Sequence, residues 1–358
     1  MTVGLLQLLA CADDGSEVPQ GNTLHLQSVT RADGDVSSTR LNEGNILMYV
    51  TANGANPITY TYDNTGTGWG NVGPSIKEDT QYYLYGYMPA SIVDTDKRSL
   101  TVDDADLNGD YSKGANLTLG GLPIFTEEDI CVVVRAQRIT SAEDNPDMED
   151  QVEAYKTTGS SFAYLSGSAN ENYVNLLMDH LYVQLQLRFN VESEYYALRH
   201  IHLKSVKLRS SYGPYVNATV KFRNGKRLTD HVGYATTGPD TQEFTLLTGG
   251  DMELASTEAS SPTALLKTVN CPHCLFDVKE DNDTYLTIES TYDVYDNNVT
   301  TEHPNGNLIR QNCTVTNRVK RRDKATPGMR KTLTLTVAPT YLYMLSEPDL
   351  DNPTVKIN

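Results

Sequence analysis

The sequence predicts an all-β protein. Three observations carry that prediction: apolar and polar residues alternate at period two, the composition favours pleated strands, and no segment holds a sustained apolar stripe at 3.6-residue spacing. Tyr numbers 22 against 6 Phe and 1 Trp, and Thr is frequent throughout. Both suit half-solvated sheet surfaces better than helices. At 39% hydrophobic, the chain of 358 residues can fill cores, and its length accommodates two domains.

The strands are predicted in order from the period. Weak alternation marks "TLHLQSV" (23–29), "NILMYVT" (45–51), "PITYTYD" (57–63), "QYYLYGYM" (81–88) and "DICVVVRA" (129–136). The clearest case is "HLYVQLQLRFNV" (180–191). Leu181, Val183, Leu185, Leu187, Phe189 and Val191 fall on one face and Tyr182, Gln184, Gln186, Arg188 and Asn190 on the other. A one-residue slip would turn all six apolar side chains outward, so its register is well specified. Further strands are predicted at "ATVKF" (218–222), "EFTLL" (243–247), "TYLTIES" (284–290) and "KTLTLTVAPTYLYML" (331–345). Turn clusters such as "NTGTGWGNVG" and "RNGKR" separate them. Short helices are predicted only within "SANENYVNLLMDH" and "SPTALLKTV". The polar, acidic stretch 137–175 marks a boundary, with a second unit beginning near Asn170.

The formal net charge of −17 would repel a phosphate backbone, so no nucleic-acid partner is expected. The one basic run, "NRVKRRDK" (317–324), is read as a solvated hairpin loop. No apolar run approaches the roughly 20 residues of a membrane helix.

Several motifs imitate chemistry. "VNCPHCLF" (269–276) contains the Cys-Pro-His-Cys run of some dithiol oxidants, but Asp277, Glu280, Asp281 and Asp283 follow closely. Such charge raises a thiol pKa, and no βαβ pattern precedes the run. One C-x-x-C is also only half a zinc site, so no metal is expected there. Cys271, Cys274 and Cys313 are the disulfide candidates, with Cys271 and Cys274 bridged to each other or to Cys313. Cys131 reads as a small buried hydrophobe. "DDADLNGD" (103–110) resembles a calcium loop, yet the position of its bidentate Glu is Ala115, so an acidic turn is expected. His200 and His202 share a strand face without a third ligand and read as surface histidines. The Asn-x-Thr sequons at Asn116, Asn217, Asn282, Asn298 and Asn312 read as Asn and Thr abundance in β-loops. No cofactor motif and no catalytic constellation stands out, so a non-enzymatic protein is expected.

The N-terminal "GLLQLLAC" ends in Leu8-Leu9-Ala10-Cys11 and resembles the bacterial lipobox, with residues 1–10 as signal peptide and Cys11 as the lipid anchor. It departs from that pattern in being short and in lacking a basic n-region. The acidic "ADDGSEVPQGN" after Cys11 reads as a tether over 11–22. With "SVTRADGD", "MDHLYVQLQLRFNV…YYALRHIHLKSVKL" and "LTLTVAPTYLYMLSEPDLDNPTV", the chain resembles the Bacteroidetes fimbrillin family.

That resemblance implies two tandem transthyretin-like β-sandwiches, at 23–169 and 170–358. It implies a surface-exposed outer-membrane lipoprotein precursor with the other fimbrial subunits as partners. An Arg-specific protease would cut Arg31–Ala32, with Arg40 as the rival site, in a loop open to the enzyme. The cut would remove a first strand containing Leu24, Leu26 and Val29. The exposed groove would then accept a strand from the next subunit, the candidates being 340–345 and 353–358 within a C-terminal segment 340–358. Two rival readings are a monomeric surface lipoprotein that binds glycan or host ligand, with Trp69 as first suspect, and a thiol oxidoreductase.

Overall fold

The structure is a computed structural model that describes residues 22–33, 37–66, 68–70, 73–141, 148–228, 232–236, 243–259, 264–275, 285–320, 325–340 and 349–357. The first half supplies β1 (His25–Asp33), β2 (Ser37–Arg40), β3 (Glu43–Thr51), β4 (Ile58–Thr65), β5 (Gln81–Met88), β6 (Arg98–Thr101), β7 (Gly114–Pro123) and β8 (Cys131–Ile139). Helix α1 (Glu149–Thr158) and strands β9 (Ala163–Leu165), β10 (Tyr173–His180) and β11 (Tyr182–Val191) follow. Next come α2 (Ser193–Tyr196), β12 (Arg199–Ser210), β13 (Tyr215–Arg223), β14 (Val232–Thr236), β15 (Phe244–Leu247), β16 (Met252–Glu253), β17 (Ala264–Leu265) and β18 (Val269–Pro272). The chain closes with β19 (Tyr285–Asp296), β20 (Leu308–Lys320), β21 (Arg330–Thr340) and β22 (Asp349–Ile357). The all-β prediction holds.

Four sheets result. The first runs β2-β1-β10-β8-β5-β3-β4, with β9 on β5; the others run β17-β11-β21-β22, β15-β12-β19-β20 and β14-β13-β7-β6. In the first sheet β1 lies parallel to β10 while the remaining pairings are antiparallel. Residue 170 does not coincide with a break between sheets. The strand that follows it, β10, belongs to the first sheet, and β7 from the first half hydrogen-bonds to β13 from the second.

The first sheet is covered on both faces, and its sequence shows why. On β3, Ile46, Met48 and Val50 enter a small core cluster while Leu47 and Tyr49 enter a larger one on the opposite face. On β8, Cys131 and Val133 face the small cluster, Val132 and Val134 the large. A strand buried on both faces reads as a continuous apolar run instead of an alternating one. That effect corrects the helix expected within "SANENYVNLLMDH": its apolar part is strand β10, with Val174, Leu176 and Met178 in the small cluster and Leu177 in the large. "SPTALLKTV", also expected as helix, contributes the two-residue strand β17, whose Leu265 is exposed, and the basic run begins inside β20 with Asn317–Lys320. By contrast β11 has one covered face. Val183, Leu185, Leu187, Phe189 and Val191 are fully buried, and the predicted alternation holds from Val183 to Val191. Tyr182, expected on the outward face, is a correction, since it is buried with its hydroxyl donating to Pro123 O at 2.8 Å.

Helix α1 lies in the stretch read as a boundary. Its first turn carries Glu149 and Asp150, which suit a helix N-terminus, and it ends at Gly159, whose φ of 77° few other residues adopt. Val152 and Tyr155 bury its inner face.

Candidate functional site

The first strand is the element whose removal would open the molecule, so the site is built from it. Leu24, Leu26 and Val29 are all buried in the small cluster, beside Ile46, Met48, Tyr62, Val174 and Leu176. Strict alternation from Leu26 would send Ser28 inward and Val29 outward. The pairing register with β10 shifts between Leu26 and Ser28, which places Val29 on the apolar face instead. Ser28 is then satisfied by donating its hydroxyl to Asn175 Oδ1 at 2.6 Å. Burying three such side chains contributes roughly 5–9 kcal/mol before ordering entropy, a quantity comparable with a domain's net stability.

The lead-in to β1 is held by polar ties. Tyr62 donates its hydroxyl to the Leu24 carbonyl at 2.8 Å, Leu24 N–H donates to Pro74 O at 3.2 Å, and Ile76 N–H to Asn22 O at 2.7 Å. Gly73 makes room for this: a Cβ there would collide with the Leu24 carbonyl and the Tyr62 hydroxyl. The Gly-rich run around Trp69 had signalled a turn, not this close approach.

Farther along β1, Arg31 pairs with Asp129 Oδ2. His180, at the end of β10 and opposite Cys131 in register, donates Nδ1–H to Asp129 Oδ1 at 2.7 Å. The Cys131 thiol also hydrogen-bonds Asp129, with its sulfur 3.7 Å from His180 Nδ1. Burial pushes the Asp129 carboxyl up, but His180 and Arg31 outweigh it and hold it below its ordinary value. Burial pushes the His180 imidazole down, and the carboxylate more than reverses that. Burial raises the Cys131 thiol, and Asp129 raises it further. Cys131 is therefore buried as expected, but it belongs to a polar cluster.

The two arginines flanking this region differ. Arg31 lies within a strand hydrogen-bonded on both sides, and Ala32 after it is 4% exposed, so the Arg31–Ala32 bond sits in sheet and not in an open loop. Arg40 ends β2 with its side chain exposed. Arg40 also borders a shallow surface recess with Gln27, Asn42, Asn64 and Trp69. Trp69 is half-buried there, packed on the small cluster and bridged to Asn64.

At the other end, β22 is the edge strand of its sheet and pairs with β21 alone, from Leu335–Ile357 to Thr340–Asp349. Val355 is buried, and Tyr292 donates its hydroxyl to the Pro353 carbonyl at 2.6 Å. Residues 353–357 are thus seated on their own chain. Residues 341–345, like Cys11, lie outside the described residues.

The remaining sequence candidates are dispersed. Cys271 is buried on β18, Cys274 follows in a 3₁₀ turn, Cys313 lies on β20, and none of these is in a disulfide. Cys271 and Cys313 belong to strands of different sheets, and Cys271 Sγ points at Val183 O, 3.8 Å away. Burial pushes the Cys271 thiol up, the reverse of what a dithiol oxidant needs. Asp104 is spent on structure, accepting from Leu107 N–H, Asn116 and Arg223. His200 pairs with Glu253 at 2.6 Å. His202 is a correction, since it is buried and not a surface residue, with Nδ1 3.1 Å from Asp251.

No family model and no curated protein matches the chain. Among solved structures, it is similar to a fimbrial protein of Bacteroides vulgatus, at 16% identity and TM-score 0.44, covering 94% of this chain and 98% of that one. It is also similar to a candidate cell adhesion protein of Bacteroides ovatus (12% identity, TM-score 0.37, 94% and 96% covered). A third is a candidate polysaccharide-binding protein of Bacteroides thetaiotaomicron (9% identity, TM-score 0.36, 88% and 92% covered). The structural neighbours of this chain thus include fimbrial and cell-adhesion proteins of Bacteroides.

Proposed function

We propose that the chain is an adhesive cell-surface protein of the fimbrial type, a subunit that assembles by exchanging strands. One observation carries the reading: β1, parallel to its neighbour in an otherwise antiparallel sheet, and the residue just ahead of it supply Leu26, Val29 and Leu24 to a core cluster they complete. Without β1, the edge of β10 and an apolar groove would face solvent, and such an edge is a template for another chain. Cys11 is the lipid anchor of the precursor at the outer membrane. The Arg-specific protease cuts after Arg40, because Arg40 is exposed and Arg31 is enclosed between two strands. That cut frees β1 and β2 together, where a cut after Arg31 would leave β2 attached. The segment 349–357 is the donor, and its seat on β21 holds it in reserve.

The test is digestion of residues 12–358 with a catalytic amount of Arg-specific protease, followed by intact mass and electrophoresis without boiling. We expect one cut after Arg40, abolished by Arg40→Lys, and capture of a synthetic 349–357 peptide by the cut protein alone. SDS-resistant oligomers would identify a stalk subunit. Peptide capture without oligomers would identify a subunit that accepts but does not donate. A cut protein that takes up no strand would overturn the reading. The recess bordered by Trp69 and Asn64 then favours the monomeric ligand binder, tested by glycan binding lost in Trp69→Ala.

A further inference from the structure

The cluster of Asp129, Cys131 and His180 gathers one oxygen, one sulfur and one nitrogen ligand atom within 4.8 Å of one another. We propose that these three side chains form a binding site for a soft divalent metal ion of the zinc class, and that Arg31 of β1 competes with the ion for it. The donor set is that of a three-ligand zinc site with an open fourth position. Zinc bonds of about 2.1 Å to nitrogen and 2.3 Å to sulfur, at the tetrahedral angle, put those two ligand atoms about 3.6 Å apart. The observed separation of Cys131 Sγ and His180 Nδ1 is 3.7 Å. Asp129 Oδ1 is now at hydrogen-bond distance from Nδ1 and must open by about 0.7 Å to reach a tetrahedral vertex. It has room, since the Asp129 side chain is 21% exposed while His180 is 3% exposed.

That exposed side is also the access path, and Arg31 occupies it. Its guanidinium neutralises the carboxylate that the metal would use. Ligation sends the thiol proton of Cys131 to solvent and leaves His180 a neutral imidazole protonated on Nε2, with Nδ1 facing the metal. Metal and guanidinium then serve as alternative counter-ions for one largely buried carboxylate, and they repel each other. Strand pairing assembles the site: β8 and β10 set Cys131 opposite His180, and Asp129 precedes β8 by two residues. Intact sheet is needed, but release of β1 is not, so the site can be tested on the full chain independently of strand exchange.

Cobalt(II) is the probe, because thiolate ligation gives a sulfur-to-cobalt charge-transfer band and four-coordination gives intense visible bands. The full chain, with its thiols reduced, is titrated alongside Arg31→Met, Cys131→Ser and the double variant. We expect a saturable 1:1 charge-transfer band in Arg31→Met at concentrations at least about tenfold below those the wild type needs, since even water-screened repulsion between a +2 and a +1 charge some 5 Å apart is of that size. The band should vanish in both proteins when Cys131 is Ser. Near-ultraviolet circular dichroism checks folding, and Arg31→Gln replaces Arg31→Met if the latter does not fold. A band that survives Cys131→Ser, equal affinities with and without Arg31, or no thiolate band in the wild type at saturating cobalt overturns the proposal.

Discussion

The two terminal strands are held in opposite ways. β1 is enclosed, with β2 on one side and β10 on the other, and buries Leu26, Val29 and Ala32 across its two faces, with Leu24 buried just ahead of it. β22 is an edge strand with one neighbour, and among its described side chains Pro353 and Val355 are buried. Each is also tied by a buried tyrosine that donates to a backbone carbonyl, Tyr62 to Leu24 just ahead of β1 and Tyr292 to Pro353 within β22. The shared tie makes the remaining difference informative. An enclosed strand has its hydrogen bonds and side chains out of water and opens only with its sheet. An edge strand can open alone. The reading above needs this asymmetry, because the donor must leave readily and the acceptor groove must stay closed until proteolysis.

The largest effect should come from core truncation. Leu26→Ala removes a buried side chain from the small cluster and should cost roughly 2–5 kcal/mol in urea unfolding. Val355→Ala deletes two methyl groups at the sheet edge and should cost about 1.6 kcal/mol at most, at about 0.8 kcal/mol per group. Equal costs for the two variants would break the comparison, since β22 would then be as deeply seated as β1.

The paired tyrosines sharpen it. Tyr62→Phe and Tyr292→Phe each delete one buried hydrogen bond, worth about 0.5–1.5 kcal/mol. Their global costs should be similar, but hydrogen exchange should separate them. In Tyr292→Phe the amides of Asp349–Ile357 should exchange faster while β21 stays protected. In Tyr62→Phe, β1 should remain as protected as β10, because strands on both sides still hold it. Fast exchange of β1 in Tyr62→Phe would mean that the hydroxyl, and not enclosure, keeps the groove closed.

How much of this was legible in the sequence depended on how many faces of a strand are covered. From Val183 to Val191, β11 shows period two because one face is buried there. The β10 stretch suggests a short helix because both faces are buried, and a continuous apolar run carries no period. β1 was found with its three apolar residues, but the register shift that brings Val29 inward depends on the partner strand. The Asp129–Cys131–His180 cluster had no local signal: Cys131 and His180 are 49 positions apart and meet only through the register of β8 and β10. Arg31 drew attention as a cleavage site, and "TRADGD" looked like a loop because its side chains are polar. Its first residues are instead sheet, where Asp129 satisfies the charge.

The smallest effect concerns charge. Lys356 on β22 lies 3.9 Å from Glu192, with the two side chains 50% and 37% exposed. Arg31 on β1 and its partner Asp129 are 23% and 21% exposed. A solvated pair gains little from its attraction and loses most of it to salt, whereas a half-enclosed pair is screened less. Lys356→Ala should therefore change stability by no more than about 0.5 kcal/mol, and raising the salt concentration should leave exchange from β22 nearly unchanged. Release of β22 by Lys356→Ala or by salt alone would place its hold in the ion pair and not in Val355 and the Tyr292 tie. The donor would then answer to ionic strength, which the packing of an apolar edge strand does not.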